Sequence, residues 1–323
     1  MRLFALGGAG PLAKSIAGAI GVELDPVEER AFSDGEHKSR PLVSVRNEDV
    51  YVLAQLHAHD GKTPGDLLMR LLFFLATCRE NGAARVTAVV PYLPFMRKER
   101  QTKPRDPVTS RYVATLFEAV GTTMVATIEV HNPAAFQNAF RCQTSHLNAH
   151  HLMAQRICSI ARSPIVVASP DSGGMHRAGL VREAVQQETG RDVGSAMMEK
   201  HRSQDVLTGT QFAGDVAGAD VFIVDDIIAT GNTIVRAAEA CRAHGANRVF
   251  AMATHGLFAG GAEGLFAQGV LDGIVVTDSV APFVLPAEAE QRLEVIPTGE
   301  LMGAAIARLH GGGSINRLLN PRM

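Results

Sequence analysis

Asp225 and Asp226 form a carboxylate pair at the end of the apolar run Val221 to Val224, five residues ahead of Thr230-Gly231. Ionised carboxylates only accept hydrogen bonds, which suits the neighbouring hydroxyls of a sugar. The turn Ala229-Thr230-Gly231-Asn232-Thr233 follows, and a helical pattern starts there. Gly231 allows a tight turn and close approach of an oxyanion to the backbone. The N–H groups that open a helix, joined by the Thr230 and Thr233 hydroxyls, suit a phosphate monoester. One short segment can therefore hold both ends of a sugar phosphate. A capped helix behind a buried strand would account for a lone Thr-Gly-x-Thr, but not for two carboxylates side by side. Such a pair repels itself and is normally kept where a ligand or cation offsets it.

Four further segments carry chemistry. Ser169-Pro170-Asp171-Ser172-Gly173-Gly174 follows a strand and opens a helix. Backbone N–H groups at Gly173 and Gly174 can face a diphosphate while Asp171 holds a hydrated Mg2+. A βα loop with a capping aspartate explains the same residues equally well. His131 ends a strand at the edge where parallel sheets bind ligands, and its imidazole is either structural or a contact to Mg2+ or phosphate. Arg97-Lys98-Glu99-Arg100, with Lys103 and Arg105, puts six charged residues into nine positions. It reads as a solvated loop or as a nucleotide triphosphate clamp, guanidinium forks being suited to phosphate oxygens. Glu199 to Asp205 is polar and reads as an exposed hairpin loop. If it closes over the site, Lys200 and Arg202 can neutralise a transferring phosphoryl group.

Positioning these segments requires alternating strands and helices. Strands are expected at Arg2 to Leu6, Glu29 to Phe32, Pro41 to Val45, Asp49 to Leu56, Val86 to Leu93 and Met124 to Val130. Helices fall between them at Pro11 to Ile20, Pro64 to Arg79 and Thr109 to Val120. The same grammar then repeats, with helices at Ala149 to Ala161, Gly174 to Gln187 and Gly260 to Gln268. This is the α/β pattern of mainly parallel sheets with helical crossovers, expected as two domains, 1–147 and 148–323. A length of 323 residues and 46% hydrophobic side chains suffice for two such cores. The net charge of −2 argues against a nucleic-acid surface, and no apolar stretch approaches a membrane span. The four cysteines show no CxxC spacing, so zinc-ribbon and redox-motif readings fail and a reduced cytoplasmic enzyme is expected.

In this order, the segments resemble the ribose-phosphate diphosphokinase family, over essentially the whole chain. The resemblance implies two tandem phosphoribosyltransferase-like domains, the last helix packing back on the first. It implies transfer of the β,γ-diphosphoryl group of ATP to the anomeric hydroxyl of ribose 5-phosphate, with Mg2+ as cofactor. Phe32, Asp34, Gly35 and Glu36 then resemble an adenine-contacting loop that reaches a neighbouring subunit, and Arg97, Lys98 and Arg100 an ATP-binding motif. His131 and Asp171 match Mg2+-associated positions, and Asp171, Gly173 and Gly174 the diphosphate loop. Lys200 and Arg202 match catalytic cations, Arg202 also touching the sugar phosphate. Asp225, Asp226, Ala229, Thr230, Gly231, Asn232 and Thr233 match the ribose 5-phosphate site. A homo-oligomer built on dimers, often a hexamer in relatives, is also implied.

Ala229 replaces a usual aspartate and Asn232 a usual glycine, and the segments 57–66 and 311–323 match poorly. Two other activities share parts of this pattern. A phosphoribosyltransferase uses the same sugar-phosphate motif but needs only one such domain. A non-catalytic associated subunit typically has interrupted catalytic loops, whereas Lys200 and Arg202 stand uninterrupted here.

Overall fold

The computed structural model describes the chain except residues 8–9, 204–205, 261, 268, 282, 284, 286 and 320–323, and the side chains of 199–203, 206–211 and 287. It divides into two units, Met1–Leu147 with Pro297–Met323, and Asn148–Ile296.

The first unit runs β1 (Arg2–Leu6), α1 (Gly10–Ile20), β2 (Val27–Ala31), β3 (His37–Pro41), β4 (Asp49–Ala54), α2 (Pro64–Glu80), β5 (Arg85–Val89), α3 (Thr109–Ala119), β6 (Met124–Ile128), α4 (Pro133–Ala139) and β7 (Gln143–Leu147). Helical crossovers bring successive strands side by side in one direction, and the sheet order is β1-β4-β5-β6-β7, parallel throughout. β4 is buried along its whole length, as its near-continuous apolar sequence requires of a strand covered on both faces. α2 opens on a capping box: Asp66 N–H donates to Thr63 Oγ1 and Thr63 N–H to Asp66 Oδ2, with Pro64 in the first turn.

The return strand of the first hairpin lies at His37–Pro41, earlier than the Pro41 to Val45 expected from apolar residues. The turn is short because Phe32 N–H donates to the Glu36 carbonyl at 2.8 Å. The strand is polar because it lies on the surface, where Glu28 pairs with both Lys38 and Arg40. Hydrophobicity could not mark it.

The second unit runs α5 (His150–Ile160), β8 (Ile165–Ser169), a 3-10 turn at Ser172–Gly174, α6 (Met175–Thr189), β9 (Gly194–Ser203), β10 (Val206–Ala213), β11 (Asp220–Ile228), α7 (Asn232–Ala243), β12 (Arg248–Gly256), β13 (Gly273–Thr277), α8 (Ala287–Glu290) and β14 (Leu293–Ile296). Its sheet is ordered β10-β9-β8-β11-β12-β13-β14. Among the described residues only the β9–β10 pair of this sheet is antiparallel. Both units therefore follow one scheme: a strand, a hairpin, then four parallel strands. The helix expected at Gly260 to Gln268 is instead a 3-10 segment, Ala262–Phe266. With Gly260, Gly261 and Gly264 all inside that stretch, a full α-helix would carry glycine's entropic cost three times.

After Ile296 the chain rejoins the first unit through α9 (Gly299–Gly311) and α10 (Asn316–Leu319). Gly299 and Gly303 press against α1: a Cβ on Gly299 would stand 2.0 Å from Ser15 Oγ, and one on Gly303 2.7 Å from Ala19 Cβ. The absence of side chains lets the two backbones approach, and Met302, Ala305 and Ile306 pack with Leu12, Ala13 and Ile16. The far end of α9 is held by His310 Nδ1, 2.6 Å from Asp49 Oδ2, a carboxylate that also binds Tyr51 and Arg85. Among the described residues no helix is long and apolar enough to cross a membrane.

Candidate active site

The chain leaves β8 for β9 on one side, while β11 pairs on β8's other side. The crevice between the carboxyl ends of β8 and β11 is thus a topological switch point, the place where open α/β sheets bind ligands. The loop carrying Asp171 follows β8, and the acidic pair lies near the end of β11.

Asp225 and Asp226 lie within the strand, which continues to Ile228, rather than beyond its end. The ladder to β12 holds them there: Asp225 pairs with Ala253, and Ile227 with His255. Asp226 is 3% exposed, and its N–H donates to Asp225 Oδ1 at 2.8 Å. Burial and the neighbouring Asp226 carboxylate push Asp225 up to about 7, against the opposing pull of Arg177. Arg177, in the first turn of α6, reaches both carboxylates, with Nη1 3.7 Å from Asp225 Oδ1 and 3.3 Å from Asp226 Oδ1. Its role was not read from the sequence. The available signal was a cation in a helix's first turn, where the helix dipole disfavours positive charge unless an anion faces it.

Ala229 and Thr230 turn the chain, and α7 starts at Asn232 with no side-chain cap on its N-terminus among the described residues. Thr230 and Asn232 are exposed and Thr233 is half-buried. Gly231 has φ 77°, and a Cβ there would lie 2.3 Å from both Cγ and Cδ1 of Leu265. Gly231→Ala is therefore expected to cost on the order of 3 kcal/mol, part left-handed strain and part overpacking. Denaturant unfolding checks this. Adding Leu265→Ala should relieve the clash and leave the strain.

Asp171 Oδ1 accepts from the N–H of Gly173 at 3.0 Å and of Gly174 at 3.2 Å. Asp171 thus caps the turn that opens α6, its carboxylate facing the two glycine N–H groups. The stretch 199–203, expected as loop, continues β9 as strand. Pairing with β10 sustains it where the apolar pattern stops, Lys200 opposite Thr210 and Arg202 opposite Leu207. β8 ends alongside Met197, so Lys200 and Arg202 extend past the sheet's carboxyl edge. Their side chains, with positions 204–205, lie outside the described residues.

On the first unit's carboxyl edge, the loops after β5 and β6 are stitched together. Ile128 N–H and the Thr127 hydroxyl both donate to the Pro91 carbonyl, and Asn132 Nδ2 donates to Glu99 Oε1 at 2.9 Å. This brings His131, exposed before α4, to the same edge as the basic loop. Arg97 and Arg100 are exposed, whereas Lys98 is turned onto Asp106. Asp106 also accepts from Thr102 N–H and Lys103 N–H, and its carboxyl is held well below the usual range, chiefly by Lys98. Phe32 is 40% exposed at the hairpin tip, with the Arg30 guanidinium 5.0 Å from its ring centroid. Asp34 Oδ1 accepts from Glu36 N–H, and Gly35 closes the turn with φ 94°.

Residues 1–121 match a family model described as the N-terminal domain of ribose phosphate pyrophosphokinase, and residues 189–320 one described as the phosphoribosyl synthetase-associated domain. The chain belongs to the ribose-phosphate pyrophosphokinase family. A ribose-phosphate pyrophosphokinase of Brucella melitensis is 33% identical over 322 residues, covering 99% of this chain and 100% of the relative. One of Haemophilus influenzae is also 33% identical, covering 99% of each chain. A crystal structure of phosphoribosylpyrophosphate synthetase from Mycobacterium smegmatis superposes with a TM-score of 0.85 at 28% identity, covering 97% of this chain and 99% of that one. The expected α/β architecture is thus that of a ribose-phosphate pyrophosphokinase along its full length. Of the residues that resemble the family's site, the second unit groups Asp171, Gly173 and Gly174 with Asp225 to Thr233 around one crevice. The first unit groups Arg97 to Arg100 with His131.

Proposed function

We propose that the chain transfers the β,γ-diphosphoryl group of ATP to the anomeric hydroxyl of ribose 5-phosphate, giving 5-phosphoribosyl 1-diphosphate and AMP. The carrying observation is the acidic pair beside an uncapped helix N-terminus at the switch point of the second sheet. Asp225 and Asp226 accept from the ribose hydroxyls, while Thr230 to Thr233 and the opening N–H groups of α7 hold the 5-phosphate. So placed, the anomeric oxygen attacks the β-phosphorus in line. The P–O bond to the α-phosphate breaks, and its electron pair leaves on AMP. The hydroxyl proton passes to solvent. Lys200 and Arg202 neutralise the transferring group, and the Gly173 and Gly174 N–H groups receive diphosphate oxygens when Asp171 turns away. Arg97 and Arg100 clamp the ATP phosphates, Lys98 staying on Asp106, and the Phe32 hairpin contacts adenine in a neighbouring copy.

Mg2+ is the metal this chemistry calls for, and it would neutralise charge on the phosphate oxygens. Asp171 would offer a half-buried carboxylate at the diphosphate loop and His131, on the other unit, an exposed imidazole, each a donor type compatible with a hydrated ion. The working form is a homo-oligomer built on dimers, and the four free cysteines suit a reducing, cytoplasmic setting. A phosphoribosyltransferase would leave the first unit, with its own family match, without a task. In the decisive assay, AMP is expected to appear from ATP only when ribose 5-phosphate is present, in equal amount to 5-phosphoribosyl 1-diphosphate. Release of ADP, or no release, would remove this reading.

A further inference from the structure

The groups placed on the ribose hydroxyls come from β11 alone, yet the acidic pair does not stand alone. Arg177 is 12% exposed at its side chain and sits between α6 and β11, its Nη1 within ion-pair distance of one oxygen of each carboxylate. Asp226 is nearly fully buried beside it, in a strand whose residues from Asp220 to Val224 are all buried. Two carboxylates on adjacent residues in such surroundings need a cation to offset the negative charge they carry. A lysine would supply a point charge only; a guanidinium can divide its donors between two acceptors held at fixed angles.

We infer that Arg177 is a positioning residue for the sugar, orienting the Asp225 and Asp226 carboxylates so that their remaining oxygens accept from the ribose hydroxyls. This rests on the proposed ribose 5-phosphate site and extends it to a residue outside the motif. Arg177 differs in this from the cations of the basic loop and of β9, whose task is phosphate. Arg177 faces carboxylates, so it acts on hydroxyl recognition and leaves ATP binding alone. It also couples two loops: α6 follows directly from the Asp171 turn, so the cation that orders the sugar site is anchored to the diphosphate loop.

The test compares Arg177→Gln and Arg177→Lys with the unaltered protein, using ribose 5-phosphate and 2-deoxyribose 5-phosphate as acceptors. In Arg177→Gln the KM for ribose 5-phosphate is expected to rise roughly tenfold to a hundredfold, as loss of charge-assisted hydrogen bonding predicts, with the KM for ATP changed less than threefold. Preference for ribose 5-phosphate over the 2-deoxy acceptor should shrink in the same variant, because the carboxylates no longer discriminate the missing hydroxyl. Arg177→Lys should recover part of the affinity and part of the preference. An unchanged KM for ATP shows that the variant is folded. If the unaltered protein prefers ribose 5-phosphate and Arg177→Gln keeps that preference in full, the inference is wrong while the site stands. Equal rises in both KM values would assign Arg177 a structural role and also overturn it. If the unaltered protein binds neither acceptor, the ribose 5-phosphate site and the inference fall together.

Discussion

Lys200→Ala is expected to lower kcat roughly 10²- to 10³-fold, the usual effect of removing one group that stabilises transition-state charge. The site is rich in negative charge before any cation is counted. Asp171, Asp225 and Asp226 stand at one crevice, and in the proposed reaction both substrates bring phosphates to it. Transfer of a diphosphoryl group spreads further charge over non-bridging oxygens, so catalysis depends on cations that arrive with the reacting group. Lys200 and Arg202 lie on β9 beyond Met197, where among the described residues the strand no longer pairs with β8 and pairs with its hairpin partner β10. A hairpin of that kind can bring charge to the reacting phosphorus without sitting in the sheet. Steady-state kcat and direct binding of a non-hydrolysable ATP analogue separate the two roles. Lost turnover with retained binding supports transition-state action, and retained turnover would move that action to another residue.

Asp220→Ala should produce the largest loss of stability, about 3–5 kcal/mol, the range found when one partner of a buried ion pair is removed. Asp220 is wholly buried at the start of β11. Its Oδ2 accepts from Arg162 N–H at 2.7 Å and Ser163 N–H at 3.1 Å, and Oδ1 from Asn247 Nδ2 at 3.2 Å and Arg248 Nε at 3.1 Å. One carboxylate thus ties the entry of β8, the start of β11 and the start of β12. Removing it leaves the Arg248 guanidinium, half-buried, without its counter-charge. Burial works to raise the Asp220 carboxyl, but Arg248 and the two backbone N–H groups outweigh it, so the folded value lies below the ordinary one. A depressed folded value means the ionised form stabilises the fold above the unfolded value, about 3.9 for aspartate, and that this contribution is lost as pH falls toward the folded value. Unfolding free energies of the unaltered protein and Asp220→Asn should therefore differ at neutral pH and converge in acid. A difference that persists unchanged into acid would show that shape, not charge, makes the contribution.

The β11 segment was legible because its chemistry is contiguous. The acidic pair, the left-handed glycine and the threonines fall within one strand–turn–helix, so residue type and spacing alone were enough to propose a sugar-phosphate cradle there. The strand–helix alternation was equally plain, since each buried strand must read apolar to sit between layers. Polar elements escaped: β3 is a surface hairpin strand and the far end of β9 is held by pairing, and neither needs the apolar alternation by which strands are recognised.

What tertiary structure decided is the set of pairings between residues distant in the chain. Lys98 counted as one of six clustered charges, yet it is committed to Asp106 and is part of the loop's own framework. Gly299 and Gly303 look like helix breakers in sequence, and the contact with α1 makes them the residues that let α9 dock. Arg177 carried no motif of its own, and only the packing of α6 on β11 sets it against the two carboxylates. Sequence determined which groups could recognise a sugar phosphate, because that capacity resides in neighbouring residues. Folding decided which of those groups are charged, oriented and available, because burial and ion pairing depend on what lies across space.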